Sequence, residues 1–489
     1  MGFKSDREFL RNISIGAIGT RKVAAILNRG SFRIIELERH CTSNKIWATK
    51  IKRLRVPDLL CLKSGTRIES RGKSKMEVSM SHAVNNPDRA WDRGLRDSDL
   101  IAFIRCWPDG DTWRASERVA LFRVGDMRAK AHRARRSRMK SASEGSEIRL
   151  TWPATIPRSA GTVTGILSDR IETQLEGGRK QRYRLGRKNS DSLIPHVSVD
   201  ESFGEGDTVI ASVMDSLVSP IAARVVPYDF MADLTSEDSA AVYVAVKALG
   251  FLAHFMPASV EALAGVMANY PDDRIRLEAA ASLARLGIEE GWAHLAAMSR
   301  QKEVPPDYRM ETAFILAELP DQRSIDLLAA LAANQTNDSE LRAASAWGLA
   351  AAKADVAQPL ALVHDPDELT AVHAIVATSR RIDSSNVHPV LEAISDDGRQ
   401  SAGIIRAVLA SECDFVPTAV AQIRSAVGQR RQWLLYLLAA KGREPCFGIV
   451  RQNAPDLLPE LEFFWTFHAE NWTNRLDVAD QIDFLQKQV

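Results

Sequence analysis

The stretch that decides the fold is Arg309-Met-Glu-Thr-Ala, because it has copies at a fixed distance on both sides. Arg276-Leu-Glu-Ala-Ala precedes it by 33 residues and Arg342-Ala-Ala-Ser-Ala follows it by 33. A looser copy begins near Leu369, where ELTAVHAIVA parallels ELRAASAWGL. Each copy opens an Ala-rich helix, and a break and a second helix follow, as in HLAAMSRQ and IDLLAALAAN. One such pair cannot bury its apolar faces alone, so successive pairs must stack.

With its Asp/Pro-rich joints PDDRIR, PPDYRM and NDSELR, the stretch resembles the HEAT-repeat family over roughly residues 235–455. That resemblance is one of fold and implies an all-α solenoid, placed here at 232–489. The aromatic cluster of LEFFWTFHAENW (Phe463, Phe464, Trp465, Phe467, Trp472) is expected to pack as core and close the end of the stack.

At 489 residues the chain is too long for one core, and about three domains are expected. The net charge of +2 hides an asymmetry: residues 1–230 hold 42 Lys+Arg against 27 Asp+Glu, and the remainder 22 against 35. A basic front suits a polyanion, because phosphate contacts release condensed counterions. The acidic back suits a protein. Five scattered cysteines without a C-x-x-C pair argue against a zinc knuckle or a disulfide framework, and point to a reducing cytoplasm. No signal-peptide core opens the chain, and the most apolar run, 240–256, is broken by Lys247 and His254, so no membrane span is expected. No G-x-x-x-x-G-K-[ST] sequence is present, and GAIGT lacks the dinucleotide fingerprint.

Ahead of the repeats two further domains are expected. In 1–142 a helix (Ile18–Leu27, after Gly16 and Gly19) precedes strands at Phe32–Leu37, Val56–Leu62 and from Thr66 to Ser70 or beyond. Leu100–Trp107 and Val119–Val124 are further strands, giving a mixed α/β domain. The run Met127–Glu147 reads as a basic helix entering a linker. Short strands between Gly, Asn and Asp then predict a small all-β barrel or sandwich over 148–215. The chain is thus expected to be a multidomain α+β protein.

Within the first domain, RVPDLLCLKSGTRIESRGK (Arg55–Lys73) reads as a hairpin turning at Lys63–Gly65. Alternation along its second strand puts Glu69, Arg71 and Lys73 on one face, and Ile68, Ser70 and Gly72 on the other. The preceding strand brings Asp58 alongside. Two carboxylates there suit a hard divalent cation such as magnesium, with manganese as a substitute, which polarises a phosphoryl oxygen and activates water. A neighbouring cation would orient that water or stabilise developing charge.

Pro57-Asp58, ten intervening residues, Glu69 and nearby Lys73 resemble the PD-(D/E)-x-K nuclease superfamily. The resemblance implies metal ligation by Asp58 and Glu69 and a water-assisting Lys73. It departs from the family at Arg71, which stands where the lysine is usual, and in the upstream acid, for which Glu36 or Glu38 is the nearest candidate. Lys50, Lys52, Arg53 and Arg55 before the motif, and Lys130, Arg133, Arg135, Arg136 and Arg138 after it, offer an electrostatic track for a nucleic-acid backbone, DNA rather than RNA. Trp91-Asp92 and Arg96-Asp97 either join that groove or dock on the sheet. Two functions follow. One is a metal-dependent endonuclease, or a degenerate nuclease-like DNA-binding protein, suited to restriction or defence; cutting both strands of a duplex would favour a homodimer. The other is a non-catalytic HEAT-repeat adaptor tethered to nucleic acid by its basic front.

Overall fold

The structure is a computed structural model that describes residues 7–29, 32–37, 47–49, 51, 54–75, 77–109, 112–138, 147–167, 170–175, 178–185, 196–197, 208–214, 217–222, 228–253, 256–319 and 321–466. These divide into two compact units, one drawn from Arg7–Ser43 and Lys52–Ser282, the other from Asn44–Ile51 and Leu283–Val489.

The first unit begins with α1 (Arg7–Arg29), then β1 (Ile34–Glu36), β2 (Leu59–Cys61), β3 (Arg67–Lys73), β4 (Ser79–Ala83), β5 (Leu100–Asp109) and β6 (Thr112–Arg123). A five-stranded sheet runs β1-β2-β3-β5-β6, in which β3 and β5 are parallel and the other neighbours antiparallel. α1 extends well before the expected start at Ile18. It covers one sheet face, where Ile15, Val23, Ile26 and Leu27 pack on Ile34, Leu59, Ile68, Leu100, Ala102 and Ile104. Its glycines do not mark its start, because Gly19 lies inside it and lets the helix approach β3. A Cβ there would come 3.0 Å from Gly72 Cα, and one on Gly72 would come 2.4 Å from the Ile15 carbonyl oxygen. The opposite face holds Ile101, Phe103, Ala120 and Phe122 over a second core, to which Val78, Met80, Trp91, Leu150 and Trp152 contribute.

The basic run after β6 is not a helix. α2 (Val124–Ala129) is short, and Arg135–Arg138 form strand β7, which pairs with β8 (Glu147–Thr151) in a three-stranded sheet ordered β4-β8-β7. Alternation explains the strand: Arg136 stands opposite Leu150 and Arg138 opposite Ile148, while Arg135 and Ser137 face the other way. Next come β9 (Ala154–Ile166), β10 (Arg170–Leu175), β11 (Lys180–Leu185), β12 (His196–Val197), β13 (Thr208–Met214) and β14 (Leu217–Ala222). They form a six-stranded sheet ordered β12-β11-β10-β9-β13-β14, whose edge strands β12 and β14 approach each other without a backbone ladder, so no closed barrel is found among the described residues. Its bulged β9 makes antiparallel ladders with β10 and β13, a long curved strand serving two neighbours.

The helices follow as α3 (Ser239–Leu252), α4 (Pro257–Asn269), α5 (Asp273–Arg285), α6 (Glu289–Arg300), α7 (Pro306–Glu318), α8 (Gln322–Ala333), α9 (Ser339–Ala351), α10 (Ala357–Leu360), α11 (Glu368–Ser379), α12 (Val387–Glu392), α13 (Gly398–Ala410), α14 (Val416–Ile423), α15 (Gly428–Lys441), α16 (Arg443–Asn453) and α17 (Leu458–Thr466). Alternate helices stack, α7 on α9, α9 on α11, α11 on α13 and α13 on α15, with α12, α14 and α16 forming a second layer. That is the helix-pair solenoid the repeats require. The repeated arginine links rungs: Arg309 donates to Asn337 Oδ1 at 2.7 Å, and Arg342 donates to the Ala332 carbonyl and pairs with buried Asp365. Aspartates cap the helices, Asp338 on α9, Asp367 on α11 and Asp397 on α13. At the far end α17 buries Leu461 but leaves Phe463 61% exposed, so that aromatic does not serve as core; Phe467 and Trp472 lie outside the described residues.

No helix among the described residues is long and apolar enough to cross a membrane.

Candidate functional site

The β2–β3 hairpin turns at Lys63–Gly65 as the sequence implies. The amide of Gly65 donates to the Cys61 carbonyl, Gly65 has φ 67°, and the Tyr228 ring lies against its Cα face. A side chain on Gly65 would meet that ring. The ladder starts with Leu59 opposite Ile68, which leaves Asp58 just outside it and beside the Glu69–Ser70 stretch. Ile68 belongs to the face under α1, so alternation places Glu69, Arg71 and Lys73 on the opposite face. Glu36 pairs with Leu59 and therefore shares the α1 face, away from Glu69, which removes it as the upstream acid; Glu38 lies outside the described residues.

Each member of the motif has a partner. β2 begins only at Leu59, leaving the next outward amide of β3 without a backbone acceptor from β2, and the Asp58 carboxylate takes its place by accepting from Ser70 N at 2.8 Å. Glu69 is mostly buried and pairs with Arg71 at 2.6 Å. Lys73 donates to the Ser79 carbonyl on β4, and its Nζ lies 5.8 Å from the centre of the Phe103 ring. Burial, reinforced by the Arg71 and Arg149 cations and opposed by Glu77, pulls its ammonium down to about 7. Among the described residues no three His, Cys, Asp or Glu side chains group as a metal cage. Asp58 and Glu69 form a two-carboxylate set, which magnesium accepts when water completes its shell. An ion there would have to compete with Arg71 for Glu69.

Other charges around the hairpin are structural. Arg67 forms a forked, buried ion pair with Asp99, with contacts of 2.9 and 2.5 Å, tying the start of β3 to the loop before β5. Arg128 holds the segment 91–97 by bonding Asp92 at 2.7 Å, Asp97, and the Leu95 carbonyl at 2.9 Å. Trp91 is buried edge-on against Trp152, ring centres 5.1 Å apart. That segment docks on the sheet.

Of the basic track, Arg133, Arg135, Arg136 and Arg138 are exposed, Lys130 is half-buried, and Arg55 is exposed with φ 60°. Lys50, Lys52 and Arg53 lie outside the described residues. β7 pairs on one side only, so its three arginines line a sheet edge. Arginine on an edge strand discourages unwanted strand pairing as well as attracting polyanions.

A second constellation was not evident from sequence. Trp47 is 3% exposed and stacks on His373 of α11, ring centres 4.9 Å apart at 29°. It also lies 6.4 Å from Phe314 of α7, and the amides of Ala48 and Thr49 donate to Glu340 of α9, the latter at 2.7 Å. The one available signal was a lone tryptophan inside the basic run NKIWATKIKR.

No protein-family model and no curated protein matches the chain. Among solved structures it is similar to the complex of CpcE and CpcF of phycocyanin lyase from Nostoc sp. PCC7120, with 16% identity, 45% of this chain and 98% of that chain covered, and a TM-score of 0.24. A likeness at that score carries no argument about fold or activity.

Proposed function

We propose that this chain is a non-catalytic adaptor, in which the HEAT-type solenoid receives a protein partner and the basic sheet-bearing unit tethers the complex to nucleic acid. The observation that carries this reading is the state of the acidic pair. Arg71, at the position where a nuclease keeps its lysine, neutralises Glu69, and Asp58 completes the β3 ladder at Ser70. Both carboxylates thus have structural work. The stacked helix pairs offer a binding face, and the charge asymmetry between the two parts of the chain supports different partners for them.

The tethering half of the proposal is tested at β7. Replacing Arg135, Arg136 and Arg138 together with serine should weaken duplex DNA binding uniformly across sequences. It should also reduce the slope of log K against log salt by about 2–3 if all three meet phosphates. Unchanged binding and slope would remove the tether from this edge.

One observation favours a second reading, a magnesium-dependent phosphodiester hydrolase. Lys73 shares a strand face with Glu69 and has an ammonium near neutrality, as a water-activating or water-orienting group requires. In that reading Asp58 and Glu69 would hold the ion, whose chemistry would be to polarise a phosphoryl oxygen and acidify water, and Lys73 would orient the attacking water.

A further inference from the structure

The segment around Trp47 is held by the solenoid as a peptide ligand is held. It lies across three consecutive helices of one layer, with Phe314 on α7, Glu340 on α9 and His373 on α11. Phe314 is itself braced edge-on by Trp347 of α9, ring centres 5.5 Å apart, so the indole packs against an aromatic cluster. Ile51 is also buried.

Three features mark this face as a built site. Glu340 is not needed as a helix cap, because Asp338 already accepts from the Leu341 amide; its carboxylate instead receives two successive amides of the segment. Such a clasp reads a bend in the backbone, where two neighbouring amides point the same way, whatever the side chains. His373 is 1% exposed and bonds the Leu369 carbonyl through Nδ1, at 2.8 Å. A carbonyl only accepts, so Nδ1 carries the proton, and Nε2 is left as a buried acceptor without a partner among the described residues. Burial pulls this imidazole down to about 4, so it stacks on the indole as a neutral ring at physiological pH. Finally, the segment 44–53 carries Lys45, Lys50, Lys52 and Arg53, opposite in sign to the acidic C-terminal part of the chain.

We propose that the α7–α9–α11 face is a docking site for a basic peptide anchored by a tryptophan and bent at the two residues after it, and that Trp47–Thr49 occupies it in cis. A partner bearing the same chemistry enters by displacing this segment. The inference rests on the adaptor reading in one respect, that the solenoid receives protein, and it names what the solenoid would receive. An occupant tethered in cis acts at an effective concentration of about a millimolar, so it shields the site from weak free peptide.

The test uses the full chain and a labelled peptide of residues 44–53. The Trp47→Ala chain should bind the peptide, the wild-type chain should bind it at least about tenfold more weakly, and a peptide with its own tryptophan replaced by alanine should bind neither. Failure of the folded Trp47→Ala chain to bind, or equal binding by the wild type, would overturn the proposal. Should Trp47→Ala not fold, hydrogen exchange of the wild type and Glu340→Gln decides. Exchange at Ala48 and Thr49 should accelerate about tenfold or more on loss of the charge-assisted clasp, with α7 and α11 unchanged; equal exchange in the two proteins would overturn it. Neither result depends on nucleic-acid binding or cleavage, so the docking site and the adaptor reading can fail separately.

Discussion

Lys73→Met should abolish a specific pH dependence of stability. The Lys73 ammonium titrates near 7 in the folded chain against 10.5 when free, so between these values the unfolded chain binds the extra proton. Stability is therefore lowest below pH 7, rises as pH climbs from 7 toward 10.5, and is fully recovered above it. Between pH 7 and 9 this single group should add about 2 kcal/mol, at about 1.36 kcal/mol per pH unit once the folded form has lost its proton. Higher pH is a poor window, because the Cys106 and Cys446 thiols are both pushed up to about 11 by burial and contribute with the opposite sign. The assay is urea denaturation at intervals from pH 6.5 to 9, with wild type and Lys73→Met followed by far-UV circular dichroism. Methionine preserves the packing against Phe103 and carries no proton. A wild-type curve that is flat from pH 7 to 9, or one whose rise persists in Lys73→Met, would refute the buried-ammonium reasoning.

Gly72→Ala should cost about 3 kcal/mol, because its Cβ would meet the rigid Ile15 carbonyl at 2.4 Å; Gly16→Ala, with open space at its Cβ, should be neutral or slightly stabilising, and thermal melts distinguish the two. Arg342→Ala should destabilise the solenoid by about 3–5 kcal/mol, since it strands the buried Asp365 carboxylate, and a urea melt of the helical signal measures that loss.

The solenoid was legible because its signal repeats: a helix pair that recurs at 33 residues, opened by an arginine at a fixed offset after an Asp-bearing joint, leaves little else for the chain to build. The hairpin was equally readable, from Gly65 at the turn and from alternation along Ile68–Lys73. The run 131–138 misled because arginine is a good helix former, and nothing local reveals that β8 lies ready to pair with it. The choice between barrel and sandwich stayed open for a related reason: strand count can be read from turns, whereas closure depends on which edges meet and pair. In the candidate site, sequence placed Glu69, Arg71 and Lys73 on one face but not the Glu69–Arg71 pair, nor the turn of Asp58 into the sheet plane toward Ser70. Those depend on the β2–β3 ladder beginning at Leu59, one residue after Asp58. The Trp47 pocket was invisible because its walls come from residues nearly 300 positions away in sequence.

The most direct measurement incubates the purified chain with duplex and single-stranded DNA in magnesium or manganese, beside Asp58→Ala and Glu69→Ala. The adaptor reading predicts no cleavage by any of the three proteins and comparable DNA binding by all of them. Metal-dependent cleavage by the wild type, lost in either variant while binding persists, would contradict it and establish the hydrolase.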